Sequence, residues 1–284
     1  MRILDCTAAL LLSGFLASAP IHAHAQQQSA RALVQSIVNN ELKQDANDHS
    51  HWMFRDANKV GGKSTVTLVV QTAEGNVKKA IEIDGRALDE QQLQAHRQSM
   101  QRFVTDPAVR QKQKQSQEHD DKQAAALTRM LPKAFHWKVV QQNGDVTTLA
   151  FRPDSNFSPP TRAARVFAAM QGTMMVNTKH KRIQSLKGTL IHDVTFGWFG
   201  VLGKLYKGGT FDVERRDVGQ GVWQITATHV HIHGHALIFK TISEDQDEET
   251  SHYKPTPPGT TLQQAEKMLN DGEVARTLGL AQPQ

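Results

Sequence analysis

The sequence predicts an α+β protein that is mainly β, with one large, strongly curled antiparallel sheet and a few helices packed on it. Short segments of strand character follow one another from position 51 and again from position 135. Turn residues such as Gly61-Gly62 and Asn143-Gly144-Asp145 separate them, so most neighbouring segments are expected to pair as hairpins. Only three regions show helical spacing of apolar residues, which leaves the sheet as the dominant element.

The helical regions lie near the N-terminus, in the middle and at the C-terminus. Residues 29–44 place apolar side chains on one side of a helix that we expect Ser29 to cap, namely Ala30, Leu33, Val34, Ile37, Val38 and Leu42. A helical insertion at about 86–132 contains a second helix start at Asp106-Pro107, with Asp as cap and Pro at the first position. Residues 256–284 form a tail with a short helix that begins after Thr261.

The strand segments fall into two groups on either side of the helical insertion. The first group is HWMFRD, STVTLVVQ and NVKKAIEI, within residues 51–83. The second group is FHWKVVQQ, VTTLAFR, ARVFAAMQGTMMVN, RIQSLKGTL, IHDVTFGWF, GGTFDVERRDV, GVWQITATHVHIH and HALIFKTISE. The acidic run at 244–249, EDQDEE, is predicted to be a solvated hairpin end, because it lacks the glycine and the spacing of a calcium loop.

The first 25 residues have the pattern of a secretory signal peptide. Arg2 precedes an apolar run from Ala8 to Ala19, and Ala23-His24-Ala25 matches a signal-peptidase site. The single cysteine, Cys6, lies inside this segment, so the mature chain would contain no disulfide, thiolate ligand or cysteine nucleophile. We therefore expect a soluble protein, periplasmic or secreted, with a mature N-terminus near Gln26.

Charge and motifs narrow the function classes. The formal net charge of +5 favours anionic binding partners. For an exported protein, we expect an anionic membrane surface as the partner and not nucleic acid. The stretch GGKS at 61–64 is not a phosphate-binding loop, because Ala57 stands where a glycine is needed and a strand follows. The chain contains neither G-x-S-x-G nor H-E-x-x-H. We expect a protein that is not an enzyme and needs no cofactor.

A row of histidines raises a second possibility, since THVHIHGH at 228–235 contains four of them. Residues two apart share a face of a strand, so His229, His231 and His233 could bind zinc or copper together. The alternative is a solvent-facing row, with Val230 and Ile232 on the buried face. Trp223 and Ile225 occupy odd-numbered positions, as the histidines do. Either a bulge near 226–228 moves the histidines to the face opposite Trp223, or the histidines and Trp223 lie on the same face of one regular strand.

The order of segments in the second half resembles the exported lipoprotein-carrier superfamily, the LolA/LolB-like proteins. The resemblance rests on MQGTMMVN, RIQSLKGTL, DVTFGWFGVLGKLYKGGTF and GVWQITATHVHIHGHALIFKT, and it covers roughly residues 29–255. It implies a single domain at 26–255 whose sheet forms a half-open β-barrel wrapped around helices. In these carriers an apolar cavity accepts acyl chains, but no residue of this chain matches a lipoprotein-handover motif.

The apolar faces of the predicted strands supply candidates for such a cavity. They are Val166, Met170, Met174, Val176, Phe196, Trp198, Phe211, Leu237 and Phe239. Methionine side chains adapt to variable acyl chains, but the same residues could instead fill a closed core. The glycines and aromatics of FGWFGVLG suit either a membrane interface or a bulged core strand. The leading hypothesis is an exported protein that binds a lipid or other amphiphile, of undetermined oligomeric state. The alternatives are a metal-binding envelope protein and a non-catalytic scaffold.

Overall fold

The computed structural model describes residues 19–198, 201–236 and 240–280, and these form six helices and one sheet of 13 strands. The helices are α1 (Ala19–Asn47), α2 (Glu90–Thr105), α3 (Pro107–Ala134), α4 (Arg162–Phe167), α5 (Leu262–Asn270) and α6 (Glu273–Thr277). The first strands are β1 (Trp52–Val60), β2 (Lys63–Thr72), β3 (Gly75–Ile83), β4 (Arg86–Ala87), β5 (Phe135–Asn143), β6 (Val146–Pro153) and β7 (Met170–Asn177). The others are β8 (Arg182–Leu190), β9 (Val194–Trp198), β10 (Val201–Leu205), β11 (Thr210–Gly219), β12 (Val222–Ala236) and β13 (Lys240–Pro255).

The predicted α+β, mainly β class is confirmed, and every strand pairing in the described chain is antiparallel. The strand order is β4-β3-β2-β1-β13-β12-β11-β8-β7-β6-β5, with β10 beside the end of β12 and β9 beside β10. Strands β4 and β5 lie at the two ends of this path and do not pair with each other, so the sheet is open. The pairing of β1 with β13 brings the first strand group beside the last strand.

One hydrophobic core lies on the face of the sheet that α1 covers, called here the α1 face. Ala30, Val34, Ile37 and Val38 of α1 pack against the sheet residues Phe135, Trp137, Leu149, Phe151, Met174 and Val176. The rings of Phe135 and Phe151 lie 4.7 Å apart between centroids. The expectation that Ser29 caps this helix is wrong, because α1 begins at Ala19 and Ser29 lies inside it.

A second core lies on the opposite face, called here the α5 face. Met53 of β1, Leu68 and Val70 of β2 and Val77 of β3 pack there against apolar residues of α2, α5 and α6, including Met100, Phe103, Leu262, Leu269 and Val274. Thr261 caps α5 as predicted, through a capping box with Gln264. The C-terminal segment therefore covers β2 and β3, in addition to containing a short helix.

A buried ion cluster fixes α1 to the sheet. Glu41, which is 1% exposed, lies 2.9 Å from a guanidinium nitrogen of Arg182 on β8 and 2.9 Å from one of Arg215 on β11. Its other carboxylate oxygen accepts the backbone N–H of Ile183. Asp45, one helical turn further along α1, extends the cluster to the half-exposed edge at 2.8 Å from Arg215. A carboxylate this deeply buried requires such partners, because an unpaired charge there would be costly.

Two further expectations about elements are corrected by the structure. The acidic run at 244–249 is not a hairpin end: it lies within β13, with β1 on one side and β12 on the other. The segment ARVFAAM does not extend the following strand, because Thr161 accepts the N–H of Ala164 and caps α4. The predicted start of α3 is confirmed, with Asp106 as the cap and Pro107 in the first turn. Within the described residues, no helix is long and apolar enough to cross a bilayer.

Candidate functional site

An apolar cavity of about 800 Å³ lies on the α1 face, between the sheet and the helices α3 and α4. The sheet side is formed by β7, β8, β10, β11 and β12, and the helices contribute side chains such as Leu127, Leu131 and Phe167. Most of the lining is apolar, and its polar members are Thr128, Arg162, Arg215 and Thr228. Such a lining suits the apolar part of a ligand, with few positions that can bind a polar group.

The strand register explains which side chains reach this cavity. One transverse row of paired residues runs across the α1 face through Leu149, Met174, Leu186, Val213 and Thr228. Side chains of residues paired in this way point to the same side of the sheet. Leu149 and Met174 lie beneath α1 in the core, whereas Leu186, Val213 and Thr228 lie where the cavity opens. The cavity therefore occupies the part of the row that α1 does not fill.

The structure separates the predicted cavity residues into three groups. Val166, Met170 and Phe211 line the cavity, although Val166 does so from α4 and not from the strand to which it was assigned. Met174 and Val176 are fully buried in the core and do not line the cavity, so the prediction is wrong for these two. Leu237 and Phe239 lie outside the described residues, as do the side chains of Phe196 and Trp198.

Several lining residues were missed at the sequence level. Leu127 and Leu131 belong to AAALTRML, whose helical spacing indicates an apolar face but not its target. Ile225 also lines the cavity, and it is 50% exposed although it is a large aliphatic residue. Val213 was not missed: it has the parity of Phe211, which predicts that both lie on one face of the strand, and both line the cavity.

The same face becomes polar beyond Thr228. The transverse row continues from Thr228 to Glu248 of β13, Asn58 of β1 and Thr65 of β2. Asp56, two residues before Asn58, lies on the same face and is 8% exposed. The Oδ1 atoms of Asp56 and Asn58 and the Oγ1 of Thr226 are buried without a hydrogen-bond partner. Unpaired buried polar atoms are uncommon in folded proteins, so this group, called here the polar band, requires an explanation.

Burial raises the pKa of both carboxyl groups in the polar band. Burial raises the pKa of Asp56 above its usual range, and the nearby Lys78 and Arg55 only partly oppose this effect. Burial also raises the pKa of Glu248, and the neighbouring Asp56 raises it further. Beyond the band, Thr65, Thr67 and Lys78 line a second cavity of about 360 Å³, together with residues of α2 and α3.

The histidine row lies on the opposite side of β12, on the α5 face. A bulge at Thr226 exchanges the faces, because Glu214 pairs with Ala227 while Arg215 pairs with Ile225. A bulge was one of the two explanations for why Trp223 and the histidines have the same parity in the sequence. It is the explanation that the structure supports. Nδ1 of His229 lies 2.7 Å from Asp247, and His231 contacts both Asp245 and Asp247.

These contacts are ion pairs and do not form a metal centre. In the part of the chain that the structure describes, no group of three or more His, Cys, Asp or Glu residues is arranged to hold a metal ion. Contact with Asp245 and the charge of Asp247 raise the pKa of His231, although partial desolvation opposes this shift. Hydrogen bonding to His229 lowers the pKa of Asp247.

Comparisons with known proteins add no relative to these observations. The chain matches no protein-family model, no curated protein and no solved structure.

Proposed function

We propose that this chain is an exported protein that binds a lipid or other amphiphile, with the apolar part of the ligand in the cavity of the α1 face. The cavity itself carries the proposal, because about 800 Å³ of mostly apolar space lies within the range of about 300–1,000 Å³ that is usual for small-molecule sites. The export expected from residues 1–25 suits an envelope lipid carrier of the kind that the LolA/LolB-like resemblance implies. In this proposal the open sheet curls into a half-barrel around α1 and α3.

The composition of the lining supports an apolar ligand of variable shape. Phe211, Val213 and Ile232 present rigid apolar surface from the sheet, while Met170 adds a flexible side chain that adjusts to the ligand. Leu127 and Phe167 cover the ligand from the helices. An alkyl chain gains about 0.8 kcal/mol for each buried methylene group, whereas association costs at least about 4 kcal/mol. Short chains would therefore bind weakly and long chains well.

A fluorescent probe that becomes bright in apolar surroundings tests this proposal. We expect the wild-type protein to bind the probe and long-chain lipids to displace it. Phe211→Glu places a carboxylate at the cavity wall, where desolvation opposes both the charge and any apolar ligand. We expect it to abolish probe binding while the circular dichroism spectrum stays that of the wild type, because Phe211 is only partly buried.

Val140→Glu is the control for this variant, because Val140 is 52% exposed on β5 and does not line the cavity. It adds the same charge and should bind the probe as the wild type does. A wild-type protein that binds no probe, or a Phe211→Glu variant that binds it with unchanged affinity, would contradict the proposal.

A further inference from the structure

The polar band lies directly beside the apolar cavity, on the same face and in the same transverse row. Thr228 lines the cavity, and its partner in the register, Glu248, already belongs to the band. A ligand whose tail lies against Val213 and Thr228 would therefore place its other end beside Glu248 and Asn58. The inference that follows rests on the proposed function, because it concerns the head group of the same amphiphile.

Two deeply placed oxygen atoms of the band accept no hydrogen bond. Asp56 is more than nine-tenths buried, and its Oδ1 has no partner. The buried Oδ1 of Asn58, on the same face of the same strand, has none either. Glu248 adds a second carboxylate next to Asn58, and one of its oxygens accepts a hydrogen bond from Gln246 Nε2 at 3.3 Å. Lys78 is near enough to lower the pKa of both acids, but it forms no ion pair with either in the described part of the chain.

We propose that Asp56, Asn58 and Glu248 bind the ammonium head group of an amphiphile whose apolar tail occupies the neighbouring cavity. An ammonium group carries three N–H donors and no acceptor, so it matches the partnerless oxygens of Asp56 and Asn58 and the carboxylate of Glu248 beside them. Its positive charge compensates two carboxylates that burial otherwise disfavours. A carboxylate or phosphate head group without a cation would instead be repelled by Asp56 and Glu248. A hydroxyl head group could donate only one hydrogen bond and would leave the charge uncompensated.

Displacement of the bound probe by three ligands of equal chain length tests this inference: dodecylamine, dodecanol and dodecanoate. We expect dodecylamine to displace the probe at a concentration about tenfold lower than dodecanol, and dodecanoate to be the weakest. Asp56→Asn and Glu248→Gln keep the shape of the side chains and remove their charge. In each variant, dodecylamine should displace the probe at nearly the same concentration as dodecanol. The concentration of dodecanol that displaces the probe should not change.

Glu249→Gln is the matched control, because Glu249 is the next residue of β13 and pairs with Ala227 on the α5 face. It should keep the full preference for the amine, and thermal unfolding should show that all three variants are folded. Equal displacement by the three ligands, or an amine preference that survives both Asp56→Asn and Glu248→Gln, overturns the head-group site but leaves tail binding intact. Failure of all three ligands to displace the probe overturns the proposed function itself, and this inference with it.

Discussion

The two halves of the α1 face share one sheet and one register but differ in what covers them. On the β5–β8 half, α1 and the end of α3 bury Trp137, Leu149 and Met174 completely or nearly so. On the β13–β1–β2 half, the same face carries the polar Glu248, Asn58 and Asp56 beside buried apolar residues such as Val69. The second core of this half lies on the α5 face. The cavity lies between these two halves.

This difference shows that a single sheet can direct its apolar side chains to opposite faces at its two ends. Each face is apolar where helices pack on it, because burial of apolar area is the main stabilising contribution. Where α1 no longer covers the α1 face, the strands carry more polar residues, and polar groups lie beside an apolar cavity. The transition between the two halves then provides the two environments that an amphiphile requires.

The largest effect is expected for a charge inserted in the apolar half. Met174→Glu places a carboxylate at a fully buried position beneath α1, and we expect a loss of roughly 5 kcal/mol or more in the free energy of unfolding. Met175→Glu is the matched control, because Met175 is the next residue of β7 and is 37% exposed on the other face. Urea unfolding measures both changes. Equal, small losses in the two variants would show that Met174 faces water or a cavity.

A somewhat smaller loss is expected when the ion cluster beneath α1 is broken. Glu41→Gln leaves Arg182 and Arg215 without their shared buried carboxylate, at a cost of about 3–5 kcal/mol in the free energy of unfolding. Asp45→Asn, at the half-exposed edge of the same cluster, should cost about 1 kcal/mol or less. Chemical denaturation of both variants tests this, and a Glu41→Gln protein as stable as Asp45→Asn would contradict the assigned role.

In the polar half, removal of a charge should stabilise the fold. Because burial raises the pKa of Asp56, the stability that this group contributes is greatest below its unfolded pKa of about 3.9 and falls as the pH rises through its folded pKa. Asp56→Asn stays neutral, so it should be more stable than the wild type by about 1 kcal/mol at pH 7. Unfolding curves measured against pH should show this advantage disappearing in acid. A variant less stable than the wild type at pH 7 would indicate a partner for Asp56 in the free protein.

The smallest effect concerns the histidine row on the outer side of β12. The pKa of His231 is raised by its contact with Asp245 and the charge of Asp247, while Lys59 of β1 also lies near Asp247. This contribution is fully present below the unfolded pKa of about 6.5 and is lost as the pH rises through the folded pKa. The melting temperature of wild type should therefore exceed that of His231→Gln in mild acid, and the difference should shrink in mild base. A difference independent of pH would contradict this assignment.

The sequence allowed most strands to be predicted, because alternation and turn residues are local signals. The bulge at Thr226 was foreseen as one of two alternatives, since the parity of Trp223 conflicted with that of Val230. The segment around Val166 was assigned to a strand wrongly, because the spacing of its apolar residues suits either element and the cap at Thr161 decides between them. Glu41 follows Val34, Ile37 and Val38 at helical spacing, and this acidic residue on an apolar face was an unused signal for the ion cluster.

The candidate site was harder to predict because distant segments form it. The acidic run containing Glu248 was assigned to a solvated hairpin end, since nothing in the run itself indicates that β1 pairs with it from about 190 residues away. Which face of β1 to β3 is apolar depends on α5 and α6, at the other end of the chain. Met174 and Met170 have the same parity and both belong to the core, but only Met170 also lines the cavity, and parity within one strand does not reveal this difference.

The most direct test of the central claim is the affinity of the wild-type protein for a series of straight-chain alkylamines, measured by isothermal titration calorimetry. If the tail lies in the apolar cavity, each added methylene should improve the free energy of binding by about 0.8 kcal/mol, or about fourfold in Kd, until the cavity is full. The heat-capacity change of binding should be negative and grow with chain length. An affinity that does not depend on chain length would contradict the account, because it would place the tail outside the cavity.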